Sequence, residues 1–167
     1  MTAYLYQSPS GVPGDITRPK DSRTEPAMLI SPFPANYGLA MKYATGGITP
    51  YAAADAASVV AGLLVRSVPG ISQSNTNEST GTFQPNQKEP QTLLVAGYAC
   101  VKVNAGTPVR GNPVGIVQTA SGGHPAGAFE TTTTGNNIPL TSTICGNWTW
   151  ASDGVDSDGN GEIRIAQ

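Results

Sequence analysis

Residues that do chemistry are scarce in this chain of 167 residues, which holds one histidine and two cysteines. Any Ser-His-Asp or Cys-His arrangement must be built on His124. That residue sits in SGGHPAG, flanked by Gly and Pro, where the locked geometry that a general base needs is not expected. No G-x-S-x-G elbow is present: the nearest string, Gly70-Ile71-Ser72, has Ser74 where the second glycine belongs. One histidine and two distant cysteines do not make a zinc cluster, and the glycine patterns that cradle nucleotide phosphates are missing. Carboxylates are few, and nothing selects Glu130 and Asp153 as an acid–base pair. The sequence predicts no catalysis and no cofactor.

Charge is scarce too. Charged residues make up 12% of the chain, and the net charge is −2. A domain that reads phosphates carries a basic excess on one face, so a nucleic-acid partner is not expected. The longest apolar-rich runs, VVAGLLV and LLVAGYACV, fall well short of the ~18 apolar residues of a membrane span. The opening MTAYLYQSPSG lacks the basic segment and apolar run of a signal peptide, which predicts synthesis in a reducing compartment. There Cys100 and Cys145 read as small buried hydrophobes rather than a disulfide. The sequons Asn77-Glu78-Ser79 and Asn147-Trp148-Thr149 are expected by chance in a chain this rich in Asn, Ser and Thr.

What the chain has in plenty is turn formers. Twenty glycines and fourteen prolines make up about a fifth of it, so short strands joined by turns are expected rather than long helices. Residues 7–26, QSPSGVPGDITRPKDSRTEP, offer only Val12 and Ile16 as strong hydrophobes and cannot bury enough apolar surface to fold alone. We read residues 1–26 as an extended N-terminal arm and residues 27–167 as a single β domain. The strand candidates are AMLISPF, a weakly alternating NYGLAMKYAT, VVAGLLVRSV, LLVAGYACVKV, VGIVQT and a Thr-rich, edge-like AFETTTT. GGITP reads as a turn, and YAAADAAS at 51–58 has the composition of two helical turns. LLVAGYACVKV is apolar on both faces, as a core strand is. Residues 71–92 form a long polar loop, a feature that in compact domains is usually functional or mobile.

The C-terminal region shows the clearest pattern. Ile144, Gly146, Trp148 and Trp150 alternate with Thr143, Cys145, Asn147 and Thr149, and Ile163 and Ile165 alternate with Glu162, Arg164 and Ala166. That period predicts two half-buried strands of a hairpin. Between them, DSDGNG resembles the start of a calcium loop, with Asp156, Asp158 and Asn160 at alternate positions. An EF-hand also needs flanking helices and a Glu at position 12, where this chain has Gln167. The string therefore reads as turn chemistry, with Asp153, Asp156 and Asp158 as weak candidates for a cation. Trp148 and Trp150, with Tyr98, present a second choice: a sugar-stacking platform or, more simply, core.

The order of PGDITRP, PANYGLAMKY, ADAASVVAGLLVRSVPG, GYACVKV, PVGIVQT and DSDGNGEIRI resembles the capsid cement, or head decoration, proteins of tailed bacteriophages. The resemblance runs from about residue 13 to the end. It implies a small β-barrel or jelly-roll-like sandwich on the outer surface of a phage head, made in the host bacterial cytoplasm. The implied partners are the major capsid protein, at junctions between its subunits, and copies of the chain itself, as homodimer or homotrimer. No enzyme activity and no cofactor go with it. On this reading the arm makes the contacts, with Tyr4, Leu5, Tyr6 and Ile16 as anchors and Arg18, Lys20 and Arg23 as polar contacts. The alternative is a virion-surface module that binds carbohydrate or a receptor.

Overall fold

The structure, a computed structural model, describes residues 11–52, 55, 60–66, 85, 87, 89–118, 120, 123–131 and 142–166, with side chains of the last segment from Asn147 onward. Among these residues there is no α-helix. A 3-10 turn at Pro19–Asp21 precedes nine strands: β1 Arg23–Ala27, β2 Ala40–Ala44, β3 Gly47–Pro50, β4 Val60–Val65, β5 Gln91–Ala105, β6 Pro113–Val117, β7 Phe129–Thr131, β8 Ser142–Trp150 and β9 Asn160–Ile165. The all-β expectation holds.

Strand β5 organises the molecule. Its second half pairs with β9 (Gly97 opposite Ile165, Lys102 opposite Asn160) and in parallel with β7 (Val103 opposite Phe129). Pairing then runs β7–β6–β8–β9 and returns to β5, closing a barrel that leaves no open edge in this sheet. Its first half pairs with β4 and β1, and β4 leads on to β2 and β3. At the changeover Gly97 adopts a φ of 130°, and a Cβ there would stand 2.4 Å from the Ser22 hydroxyl oxygen. Only glycine lets the N-terminal segment approach this closely.

Two cores explain why β5 is apolar on both faces. Leu63, Val65 and Leu94 face the barrel interior, which holds Val101, Ile116, Phe129, Trp148, Trp150 and Ile163. Leu64, Leu93 and Val95 face the other way and join Leu29, Met41 and Ile48 in a second cluster. Alternation along β4 and β5 divides them between these clusters. Phe129 and Trp148 stack inside the barrel with centroids 5.9 Å apart. The last two strands follow their sequence pattern: Trp148 lies opposite Ile165 and Trp150 opposite Ile163.

Several expectations are corrected. The first strand is RTEPA, ahead of the expected AMLISPF, because Arg23–Ala27 finds a partner in β5 that its own polar composition does not signal. Leu29 instead makes an isolated bridge to Ile48. GGITP supplies β3, with Thr45-Gly46 as the hairpin turn and Gly46 at φ 90°. β7 is no edge: it lies between β5 and β6, and all three of its residues are buried. Most of the helix candidate, 53–54 and 56–58, most of the polar loop, and 132–134 of the Thr-rich run lie outside the described residues.

The sheet built on β1 also has little open edge. Ile48 N donates to Met28 O at 2.8 Å and Ile30 N donates to Ile48 O at 3.0 Å, so the chain after β1 crosses to β3. Pro26 has the same parity as Met28 and Ile30, which turns its missing N–H away from β5. A proline there costs the ladder nothing and blunts the remaining edge.

Candidate functional site

From Gly11 onward, the expected arm is part of the folded domain. Gly14 N donates to Cys100 O at 2.8 Å, Cys100 N to Asp15 O at 2.9 Å, and Thr17 N to Tyr98 O at 3.1 Å. Ile16 bridges Ala99 and packs against the barrel core. Arg18 lies over the Tyr98 ring, 4.0 Å from its centroid, and grips Glu162 with Nη2–Oε2 at 2.8 Å and Nε–Oε1 at 3.2 Å. The Thr17 hydroxyl donates to the same carboxylate. The Glu162 hydrogen bond and charge raise the Arg18 pKa further, keeping the clamp charged. Composition predicts a segment that leans on something else, and from Gly11 the partner is the domain's own β5.

The other proposed contacts divide. Lys20 is exposed on the 3-10 turn, and Arg23 is exposed with an ion pair to Glu25 at 3.1 Å. Tyr4, Leu5 and Tyr6 lie outside the described residues. Large apolar side chains stand open near β1–β3: Met28 and Phe33 are 41% exposed and Tyr43 is 60% exposed. The Tyr43 hydroxyl donates to Glu25 Oε2 at 3.0 Å, tying β2 to β1. Sequence reasoning missed Met28 and Tyr43, because exposure depends on where the sheet ends rather than on local pattern.

The calcium-like string is a turn. Asp156 Oδ1 accepts the N–H groups of Asp158 and Asn160 at 2.9 and 2.8 Å, and Asp156 O accepts Gly159 N at 3.0 Å. Asp153 is turned elsewhere, accepting Arg110 N at 2.9 Å. Asp158 is exposed, and its carbonyl oxygen accepts from Lys102 Nζ. The three carboxylates do not converge, and no metal-holding group of three or more occurs among the described residues. Gln167 lies outside them.

His124 Nδ1 lies 2.7 Å from Glu130 Oε1, a carboxylate on β7 that is 6% exposed. Glu130 and Asp153 thus have separate partners, which removes the acid–base pair. Trp148 and Trp150 are 4% and 1% exposed inside the barrel, and Tyr98 carries Arg18 on its face. A sugar platform on these rings is therefore not available. Cys100 is buried, and desolvation, aided by nearby Asp156, pushes its thiol up to about 12. Side chains at Cys145 lie outside the described residues.

A cleft of about 750 Å³ opens beside the barrel end where β5 finishes and β9 begins. Val12, Leu39 and Pro125 give it apolar walls, and Asn36, Asn104 and Lys102 give it polar points.

With this geometry in hand, the comparisons with known proteins decide the family. The profile of the XM1 gp53 minor capsid protein family matches residues 1–166. The chain belongs to this family. Membership bears out the resemblance to phage capsid proteins and identifies the chain as a structural component of a virion. Among solved structures, a chain of the capsid of Myoviridae phage XM1 shares the fold, with a TM-score of 0.68 at 18% identity, covering 99% of this chain and 96% of that one. No curated protein matches. The XM1 gp53 family is a structural one, and the minor capsid fold here is the barrel with its added strands.

Proposed function

We propose that this minor capsid protein binds the outer surface of a phage head at junctions between major capsid subunits and holds the expanded shell together. The observation that carries the reading is the family match over residues 1–166. The architecture supports it. A closed barrel and a second sheet blunted by Pro26 leave little edge for strand addition among the described residues, so docking falls to side chains and the N-terminus. The contact set is Tyr4, Leu5 and Tyr6 with Lys20 and Arg23, extended by exposed Met28 and Tyr43. Ile16 and Arg18 fix the segment to its own barrel and serve the contact by positioning it. Partner copies on symmetry axes, as dimers or trimers, complete the arrangement.

The test is co-sedimentation of the full chain with expanded heads lacking decoration. Saturable binding at a fixed ratio to major capsid protein is expected, and absence of binding by folded protein overturns the proposal. Removal of residues 2–10 is expected to weaken binding and keep the fold. Removal of 2–25 is no fair test, because it deletes most of β1 and the Arg18 clamp.

A further inference from the structure

We propose that residues 11–18 form a strap that opens as one unit while the barrel stays closed, and so decides when the β5 wall beneath it is free for pairing. The barrel does not need the strap. Its ladder runs β5–β7–β6–β8–β9 and back to β5 without residues 11–18. The second sheet likewise reaches β5 through β4 and β1. The strap adds four backbone bonds of its own. Gly14 N donates to Cys100 O, Cys100 N to Asp15 O, Thr17 N to Tyr98 O, and Arg66 N to Gly14 O at 2.9 Å. Tyr98 and Cys100 belong to the barrel wall and Arg66 follows β4, so one short segment touches both parts of the fold.

The strap is lightly anchored for its length. Val12 is 43% exposed, and Ile16 is half-buried where it packs against the barrel core. Both ion pairs, Arg18–Glu162 and Asp15–Arg66, are open enough to solvent to be screened. Segments with few buried apolar contacts open at a lower free energy than the core they cover. The movement also has a built-in limit. After Arg18 comes the 3-10 turn Pro19–Asp21, which buries no residue. Next stands Ser22, so close to Gly97 that a Cβ on the glycine would meet the Ser22 Cα at 2.7 Å. The turn is the hinge, and Ser22 is the pin that keeps β1 on β5 when the strap lifts.

Opening bares the N–H and C=O of Cys100 and the C=O of Tyr98, on a strand that stays paired with β9. Unpaired groups of this kind are a template for an extended chain that approaches from outside. Closed, the strap occupies them with its own backbone. The opening is a property of the free chain and does not rest on shell binding.

The experiment is amide hydrogen exchange, read by NMR, on the full chain without heads. The amides of Gly14, Thr17, Cys100 and Arg66 lose their partners together when the strap lifts. The Val103 amide, which donates to Gly159 O beside β9, does not. The first four are expected to share one protection factor, at least about tenfold below that of Val103. A Cys100 amide as protected as Val103, or four amides with unrelated protection, overturns the proposal. Ile116→Val, buried in the barrel core on β6, is expected to cut Val103 protection about two- to tenfold and leave the four unchanged. A matching fall in the four would mean that they exchange only when the barrel unfolds, and the strap would not be a separate unit. Arg18→Ala is expected to lower all four by one common factor, about fivefold. A fall confined to Thr17 overturns the cooperative opening.

Discussion

At the scale of single residues, the consequential groups are those that the fold has committed. Cys100 keeps its proton in the folded state up to about pH 12, whereas in the unfolded chain it ionises near the ordinary thiol value of 9.0. Above pH 9 the unfolded state has lost that proton and the folded state has not, so unfolding releases it and stability falls as pH rises. The loss is on the order of 1.4 kcal/mol per pH unit between those values. Chemical unfolding of the wild type and Cys100→Ala, compared between pH 8 and pH 11, is expected to show a steeper decline for the wild type. Parallel curves would refute the account. The Arg18–Glu162 pair is partly exposed, with side chains 44% and 15% accessible, so screening keeps its worth modest. Arg18→Ala is expected to cost about 1 kcal/mol, counting the lost hydrogen bonds and the ring contact. A double-mutant cycle with Tyr98→Leu separates the two, and an Arg18 effect that is unchanged in the Tyr98→Leu background would show that the ring contributes nothing.

At the scale of elements, glycine positions that look alike in sequence behave differently. Gly97 and Gly111 both have positive φ, 130° and 85°. A Cβ at Gly111 meets nothing within 4 Å, whereas at Gly97 it collides with Ser22 backbone and side chain at 2.4–2.8 Å. Gly111→Ala is therefore expected to cost about 1–2 kcal/mol, from conformation alone. Gly97→Ala adds overpacking of roughly 1–3 kcal/mol to a similar strain. Equal losses in thermal unfolding would mean that the approach of Ser22 to β5 is loose. The sequence makes the strong elements visible. The β5 run and the last hairpin were readable because burial on one or both faces writes period-2 or continuous apolar patterns into the chain. β1 and β7 were not. RTEPA takes its place by backbone pairing with β5, which its polar composition does not signal, and the interior place of β7 follows from parallel pairing across the barrel, which no local window reports.

At the scale of the whole molecule, family and fold class were legible through the order of the motifs, whereas the way residues 16–23 divide between the barrel and solvent was not. The basic trio at 18, 20 and 23 separates because Glu162, distant in sequence, claims Arg18, and exposed Met28 and Tyr43 come together with Glu25 through pairing at Ile48. A ligand that binds the closed expanded shell better than the opened one stabilises it by RT ln(1 + [L]/Kd) per site, about 2.7 kcal/mol at one hundred times Kd. Summed over the many sites of a head, modest contacts suffice. The temperature at which heads open and release DNA is therefore expected to rise with added protein, and to go on rising with the logarithm of its concentration beyond saturation. A Met28→Glu, Tyr43→Glu double variant loses the Tyr43–Glu25 hydrogen bond and sets like charges side by side, so its own unfolding is expected to move by about 1–2 kcal/mol while the fold is kept. Yet charge placed on the proposed contact surface should flatten that rise. Heads that bind the protein at full occupancy but open at an unchanged temperature would mean that it prefers neither state of the shell, and the stabilising role would fall while the decorating role stood.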